Sequence, residues 1–328
     1  MIKAANFATI NADKQNFDDL YSQNDPRDYF KFLGQLDYII PHIAHPVFDE
    51  LIRARAAEQS APVTVLDLGS SYGINGALMK FDLSYDALLE RYTAPALQTV
   101  SDQEMLKLDR AYYQSWPRRK NVRVIGLDVS ENAVRYAQDC GVIDHGIVAD
   151  LEAEEPSARD AAELASVDLI VSTGCVGYVT SKTFERVGKL ARAGRTPWVA
   201  SFVLRMFPYD RIAATLAEQG LVTEKFEGAT FVQRRFANRT EMEATVAAVE
   251  ERGIDTRAHE ANGLYHAELF ISRPKEEVER CPIQKLVSVV SGANKPWTVG
   301  TNVLGGFGPA ARQNARAGRP RLTLAPKS

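Results

Sequence analysis

The stretch from Val63 to Met79, VTVLDLGSSYGINGALM, constrains the fold more than any other part of the chain. Aliphatic and β-branched residues from Val63 to Leu68 flank one acid, Asp67, the pattern of a buried strand. Gly69, Gly73 and Gly76 follow at spacings of four and three, and Ala77-Leu78-Met79 favour a helix. A strand is therefore expected to run into a glycine-rich turn and then a helix start. Glycine there accepts positive φ and puts no Cβ between ligand and backbone. The helix start adds unpaired N–H groups and a partial positive charge. An anionic group suits such a turn, either a phosphate or the carboxylate of an amino acid. Alone, the same spacing also fits a plain structural turn.

Two later stretches strengthen the ligand reading. Val122 to Asp128, VRVIGLD, reads as a second buried strand ending in an acid, followed by Val129-Ser130 and a helical run from Glu131 to Asp139. A carboxylate at the end of the second strand is how doubly wound folds grip the hydroxyls of a ribose. Gly146 to Leu151, GIVADL, reads as a third short strand ending at Asp150, placed to accept a hydrogen bond from an exocyclic amine.

Taken in order, these residues resemble the class I S-adenosylmethionine-dependent methyltransferases. Asp67-Leu68-Gly69-Ser70-Ser71-Tyr72-Gly73 looks like the family's first motif, Asp128 like its ribose acid and Asp150 like its adenine acid. Val167 to Ser172 looks like the fourth strand, which leads to the reaction centre. The resemblance covers about residues 61 to 273. It implies S-adenosyl-L-methionine as cofactor, held by Asp67, Gly69, Ser71, Gly73, Asp128, Val129, Asp150, Leu151 and Ser172. One departure is Ser71, where the family often has glycine; the loop is then wider, or uses the Ser71 hydroxyl. A nicotinamide enzyme fits less well, because its ribose acid lies roughly 20 residues past the glycine loop. Asp128 lies 59 residues past Gly69, and a dinucleotide site has no need of Asp150.

The fold expected is α/β: a seven-stranded, doubly wound, Rossmann-like sheet, with an N-terminal helical cap and a helical insertion after the first helix. The division expected is residues 1–60 as cap, 61–274 as the cofactor-binding catalytic domain with the insertion at 81–120, and 275–328 as a basic C-terminal tail. By resemblance, the last strand runs antiparallel between its neighbours. Helical periodicity covers Asp13 to Tyr21 and Tyr29 to Arg55, with Pro41 and Pro46 expected to break the second run into short pieces. Leu83 to Tyr92 and Ser101 to Tyr113 read as helices of the insertion, the second capped by Ser101 with Glu104 at the capping-box position. Leu221 to Phe226 and Phe231 to Phe236 read as strands about Gly228. Thr183 to Ala193 reads as a helix ended by Gly194. Glu152 to Leu164 reads as a solvated acidic face.

A net charge of −3 gives no general basic face for nucleic acid, so DNA is not expected as a partner. Cys140, Cys175 and Cys281 show no paired spacing, which suits a reducing compartment and offers no zinc framework. No apolar run reaches signal-peptide or membrane-helix length, so a cytoplasmic protein without a membrane partner is expected. His42 and His45 lack further ligands at suitable spacing, and no metal is expected.

The function expected is methyl transfer to a small-molecule acceptor. The alternatives are a protein or RNA methyltransferase, for which the tail is the argument, and a non-catalytic cofactor-binding regulator. From Arg280 to Ser328 the chain has eight Lys and Arg and no acid. The loop after the fourth strand, Thr173 to Val179, lacks the Asn/Asp-Pro-Pro-aromatic signature of enzymes that methylate base or glutamine nitrogens. Because the donor is already activated, the protein mainly aligns and desolvates, and catalytic residues are hard to read. The candidates are His45, Tyr178 and Tyr29. Neither the acceptor nor the oligomeric state follows from the sequence, and a homo-oligomer stays open.

Overall fold

The structure is a computed structural model and describes residues 18–190 and 196–289. The expectations placed on residues 13–17, on Gly194 and on the tail beyond residue 289 lie outside them.

Eight strands form one sheet: β1 (Val63–Leu68), β2 (Val122–Asp128), β3 (His145–Val148), β4 (Leu169–Thr173), β5 (Trp198–Leu204), β6 (Leu221–Lys225), β7 (Phe231–Arg235) and β8 (Leu264–Pro274). Their order is β3-β2-β1-β4-β5-β8-β6. The first five strands of that path pair in parallel, and β8 enters antiparallel between β5 and β6. This is a Rossmann-like, doubly wound arrangement, with the chain reversing at β1. The strand count differs from the seven expected, because β7 also pairs with β8. The long β8 carries β7 on its first residues and β6 on its last, so two short strands share one position at its flank.

Every residue of β1 is buried. The side chains of β1, β2 and β4 alternate between two apolar cores, one on each sheet face. The first core contains Val63, Val65, Val122 and Val124 and is closed by α2 (Arg27–Gln35), α3 (Ile40–Ala56) and α4 (Ile74–Lys80). The second contains Leu66, Leu68, Ile125 and Leu127 and is closed by α9 (Ser181–Lys189), α10 (Asp210–Glu218) and α11 (Arg239–Glu251). The short α1 (Asp18–Tyr21) precedes α2.

Pro46 does not break α3, a correction to the sequence reading. Pro41 sits at the helix start, where a missing N–H costs little. At Pro46 one bond is lost, offset by the burial of Val47, Phe48, Leu51 and Ile52 on the same helix. Because Tyr29 to Ile52 contribute to the first core, this stretch packs as part of the sheet's own body.

Between α4 and β2 the chain forms α5 (Tyr85–Tyr92) and α6 (Asp102–Gln114). Ser84 and Ser101 cap them, the Ser101 hydroxyl accepting from Glu104 N. Then follow α7 (Glu131–Asp139) after β2 and α8 (Ala158–Leu164) after β3. Past β8, α12 (Lys275–Arg280) and α13 (Ile283–Leu286) remain against the body. Ile283 and Val287 are buried in the first core, so the ordered packing runs past residue 274.

Candidate functional site at the strand tips

The turn after β1 is built by close approach. Gly69 has φ +69°, and a Cβ there would lie 2.7 Å from Cys175 Cβ, so the turn rests directly on the loop after β4. Gly73 has φ +74°, and its missing Cβ makes room for Val142 and Ala137 behind α7. Ser71 also holds a left-handed conformation, φ +49°, which a non-glycine residue adopts at a cost. Its N–H donates to Asp128 Oδ2 at 2.9 Å, while Ser130 N donates to Oδ1 at 2.9 Å. Asp128 at the end of β2 thus holds the turn in place. Burial raises its pKa.

Asp67 is fully buried at the end of β1. Asn75 Nδ2 donates to its Oδ1 at 3.0 Å and to Thr173 Oγ1 at 3.1 Å, bridging the tips of β1 and β4. Asp67 Oδ2 has no partner, and neither have the buried Ser70 Oγ and Ser71 Oγ of the turn or Asn75 Oδ1. Burial without a countercharge pushes the Asp67 carboxyl up to about 7. Such orphaned atoms are costly unless something meets them.

The apolar part of the site is exposed. Val129 after β2, Val148 at the end of β3 and Tyr178 after β4 are large apolar side chains open to solvent at neighbouring tips. Asp150 is exposed just beyond β3, which ends at Val148 and not at Asp150 as expected, and its Oδ1 accepts from Glu152 N at 2.9 Å. Glu152 is not part of a solvated face. Its carboxylate accepts from Thr180 N at 2.8 Å and from the Thr183 hydroxyl at 2.6 Å, fastening the loop after β3 to the start of α9.

The N-terminal segment roofs these tips. The Tyr72 hydroxyl donates to Leu20 O and Gln23 O, and the Ser130 hydroxyl donates to Tyr21 O. The Tyr29 ring meets those of Tyr21, Tyr38 and Tyr72 edge-on, at centroid distances of 5.8, 6.0 and 6.0 Å. Burial pushes the Tyr38 phenol and the Cys175 thiol each up to about 12, so both stay neutral at physiological pH. On the far side, Ile39 N donates to Gln233 O at 2.9 Å, tying the segment to β7.

Asp67, Gly69, Ser71, Gly73, Asp128 and Val129 therefore converge at the tips of β1 and β2, with Asp150 at the neighbouring tip. Two further expected cofactor residues are buried. Leu151 is buried in the second core and Ser172 lies fully buried within β4, its place at the tip taken by Thr173. Of the catalytic candidates, Tyr178 stands at the site. Tyr29 is buried in the core, bonded to Tyr38, with a pKa well above normal. His45 is elsewhere: it faces Asp49, which binds Arg119, and Arg119 N donates to Lys80 O at the far end of α4. Burial lowers its pKa. Sequence reasoning missed Asn75 and Gln233, whose roles arise from contacts across the fold.

No helix among the described residues is long and apolar enough to cross a membrane. No protein-family model matches the sequence, and no curated protein matches it. Solved structures similar to it include the magnesium protoporphyrin IX methyltransferase of Synechocystis PCC 6803 with bound SAM, at 13% identity and TM-score 0.35, covering 83% of this chain and 100% of that one. The plantazolicin methyltransferase BpumL with a desmethyl analogue and SAH is similar at 10% identity and TM-score 0.39, covering 82% and 98%. A precorrin-6y C5,15-methyltransferase from Geobacter metallireducens is similar at 8% identity and TM-score 0.34, covering 68% and 88%.

Proposed function

We propose that the chain is an enzyme that binds S-adenosyl-L-methionine over the tips of β1, β2 and β3 and methylates a small molecule approaching over β4. The observation that carries this reading is Asp67 Oδ2, a fully buried carboxylate oxygen without a partner at the first tip. A donor with an α-ammonium group supplies the missing partner. Asp128 would hold the ribose hydroxyls, Asp150 the exocyclic amine, and Val129 and Val148 the two faces of the adenine. When bound, the cofactor supplies a methyl group already activated by its sulfonium charge.

The chain's own residues then align and desolvate. Asn75 fixes Asp67 against Thr173, so the site of the ammonium is set relative to the loop that faces the acceptor. Tyr21 and Tyr38 cover the tips and restrict water. Neither phenol nor the Cys175 thiol is an anion near neutral pH, so the reading assigns them walls and not bases. A protein or RNA acceptor is the alternative outcome of the test below.

Titration calorimetry with S-adenosylmethionine tests the donor site. Saturable binding is expected, and no heat at ligand concentrations up to about 1 mM, a free energy of roughly 4 kcal/mol, would end the proposal. Incubation with methyl-labelled donor and a metabolite extract tests the acceptor class. Label is expected in small molecules, and label confined to macromolecules would shift the reading to a protein or RNA.

A further inference from the structure

β7 carries an irregularity. Val232 pairs with His266 and Arg234 with Tyr265, leaving Gln233 without a cross-strand partner. Such a bulge re-aims a side chain, and bulges are enriched beside active sites. Here the side chain turns toward the loop after β4. A Cβ on Gly174, which has φ +80°, would lie 2.2 Å from Gln233 Nε2. The glycine therefore clears space for this amide. Gln233 is only 6% exposed, and its Oε1 has no partner. The main chain of the same residue accepts from Ile39, next to Tyr38. Gln233 thus sits between the aromatic roof and the loop bearing Cys175 and Tyr178.

The charges nearby are already matched. The Arg234 guanidinium is gripped by Glu241 at 2.6 and 3.1 Å, both side chains buried. In the reading above, Asp67 is taken by the donor. Among the described residues, Arg234 and Asp67 are then spoken for, and burying a charged acceptor unpaired is costly.

We infer that Gln233 selects the acceptor: its buried amide oxygen takes a hydrogen bond from an N–H or O–H of an uncharged small molecule seated between Tyr38, Tyr178 and the loop after β4. This rests on the methyl-donor reading. A site built around such a bond rejects analogues lacking it, because its own polar group is left unpaired.

The test uses Gln233→Leu and Gln233→Glu in the full chain. Calorimetry with S-adenosylmethionine reports the donor site, and methyl-labelled donor with a panel of amides, phenols, amines and carboxylic acids reports acceptor choice. Wild type is expected to label neutral N–H or O–H compounds in preference to carboxylates. Gln233→Leu should bind the donor as wild type does but raise acceptor KM about tenfold or more, the loss of one buried hydrogen bond. Gln233→Glu, which still accepts, should retain those compounds and gain on protonated amines. Unchanged acceptor KM in Gln233→Leu with donor affinity intact, or carboxylates as the best acceptors, overturns the inference while the donor reading stands. Absence of donor binding in wild type overturns both. If Gln233→Leu does not fold, Gln233→Glu decides, since an unaltered panel would contradict the assignment.

Discussion

The two edges of the sheet treat their acids differently. At the amino edge, Asp144 accepts from Lys80 Nζ at 2.8 Å, Arg118 Nη2 at 2.7 Å and Val124 N at 2.8 Å. Both of its oxygens are met by this chain, and the Lys80 ammonium it neutralises is buried. At the carboxyl edge, Asp67 has one amide donor and one open oxygen, and Asp128 accepts from the backbone N–H groups of Ser71 and Ser130. Asp144 is matched by cations of its own chain, whereas Asp67 keeps one oxygen open and bears the desolvation cost.

That contrast can be broken by substitution. The largest effect is expected for Gly69→Val: its φ of +69° and the 2.7 Å approach to Cys175 leave no room for a side chain, so donor binding should vanish while the sheet persists. Calorimetry and circular dichroism on the same sample check this, and a mutant that still binds the donor refutes the turn's role. Next, Asp144→Ala should cost about 3–5 kcal/mol in denaturant unfolding, because it strands a buried lysine, with donor affinity of the folded protein unchanged. Asp128→Ala should lose about 1–3 kcal/mol of donor affinity, with a smaller loss of stability than Asp144→Ala because it frees only the Ser71 and Ser130 N–H groups and strands no charge. Equal losses of stability and affinity in both mutants would erase the distinction between the edges.

The smallest effect is one of pH. The Asp67 carboxyl is held up to about 7 in the free protein and must ionise to meet an ammonium. Binding should therefore release a proton, and affinity should weaken as pH falls below 7, by at most about tenfold, or 1.4 kcal/mol, per unit. The same shift means that folding loses stability as pH rises from the ordinary carboxylate range toward 7. Affinities measured from pH 5.5 to 8.5 in wild type and Asp67→Asn sharpen the assignment: the wild-type slope should disappear in the mutant, and a slope that persists there belongs to another group.

Much of this was readable before any coordinates. β1 and β2 are mostly apolar runs, and their ends fall where the sequence pattern puts them. Glycine spacing located the turn because positive φ is a local property. Capping by Ser101 is likewise local. What could not be read depends on partners far apart in the chain. Asn75 meets Thr173, Gly174 makes way for Gln233, and Glu152 ties down Thr180 and Thr183. Glu152 looked like the start of a charge run, and only its neighbours show otherwise. Pro46 seemed a breaker because the burial that offsets its lost bond comes from the tertiary core.

The amino-acid order by itself determined that apolar strands with acids at or near their ends alternate with helices, and that a bare turn follows the first of them. Those features follow from side-chain periodicity and backbone sterics within a few residues. Only the tertiary structure decided which acids are satisfied and which keep an oxygen open, and which amide faces the loop after β4. Desolvation depends on everything packed around a group, and a sequence does not reveal what will surround it.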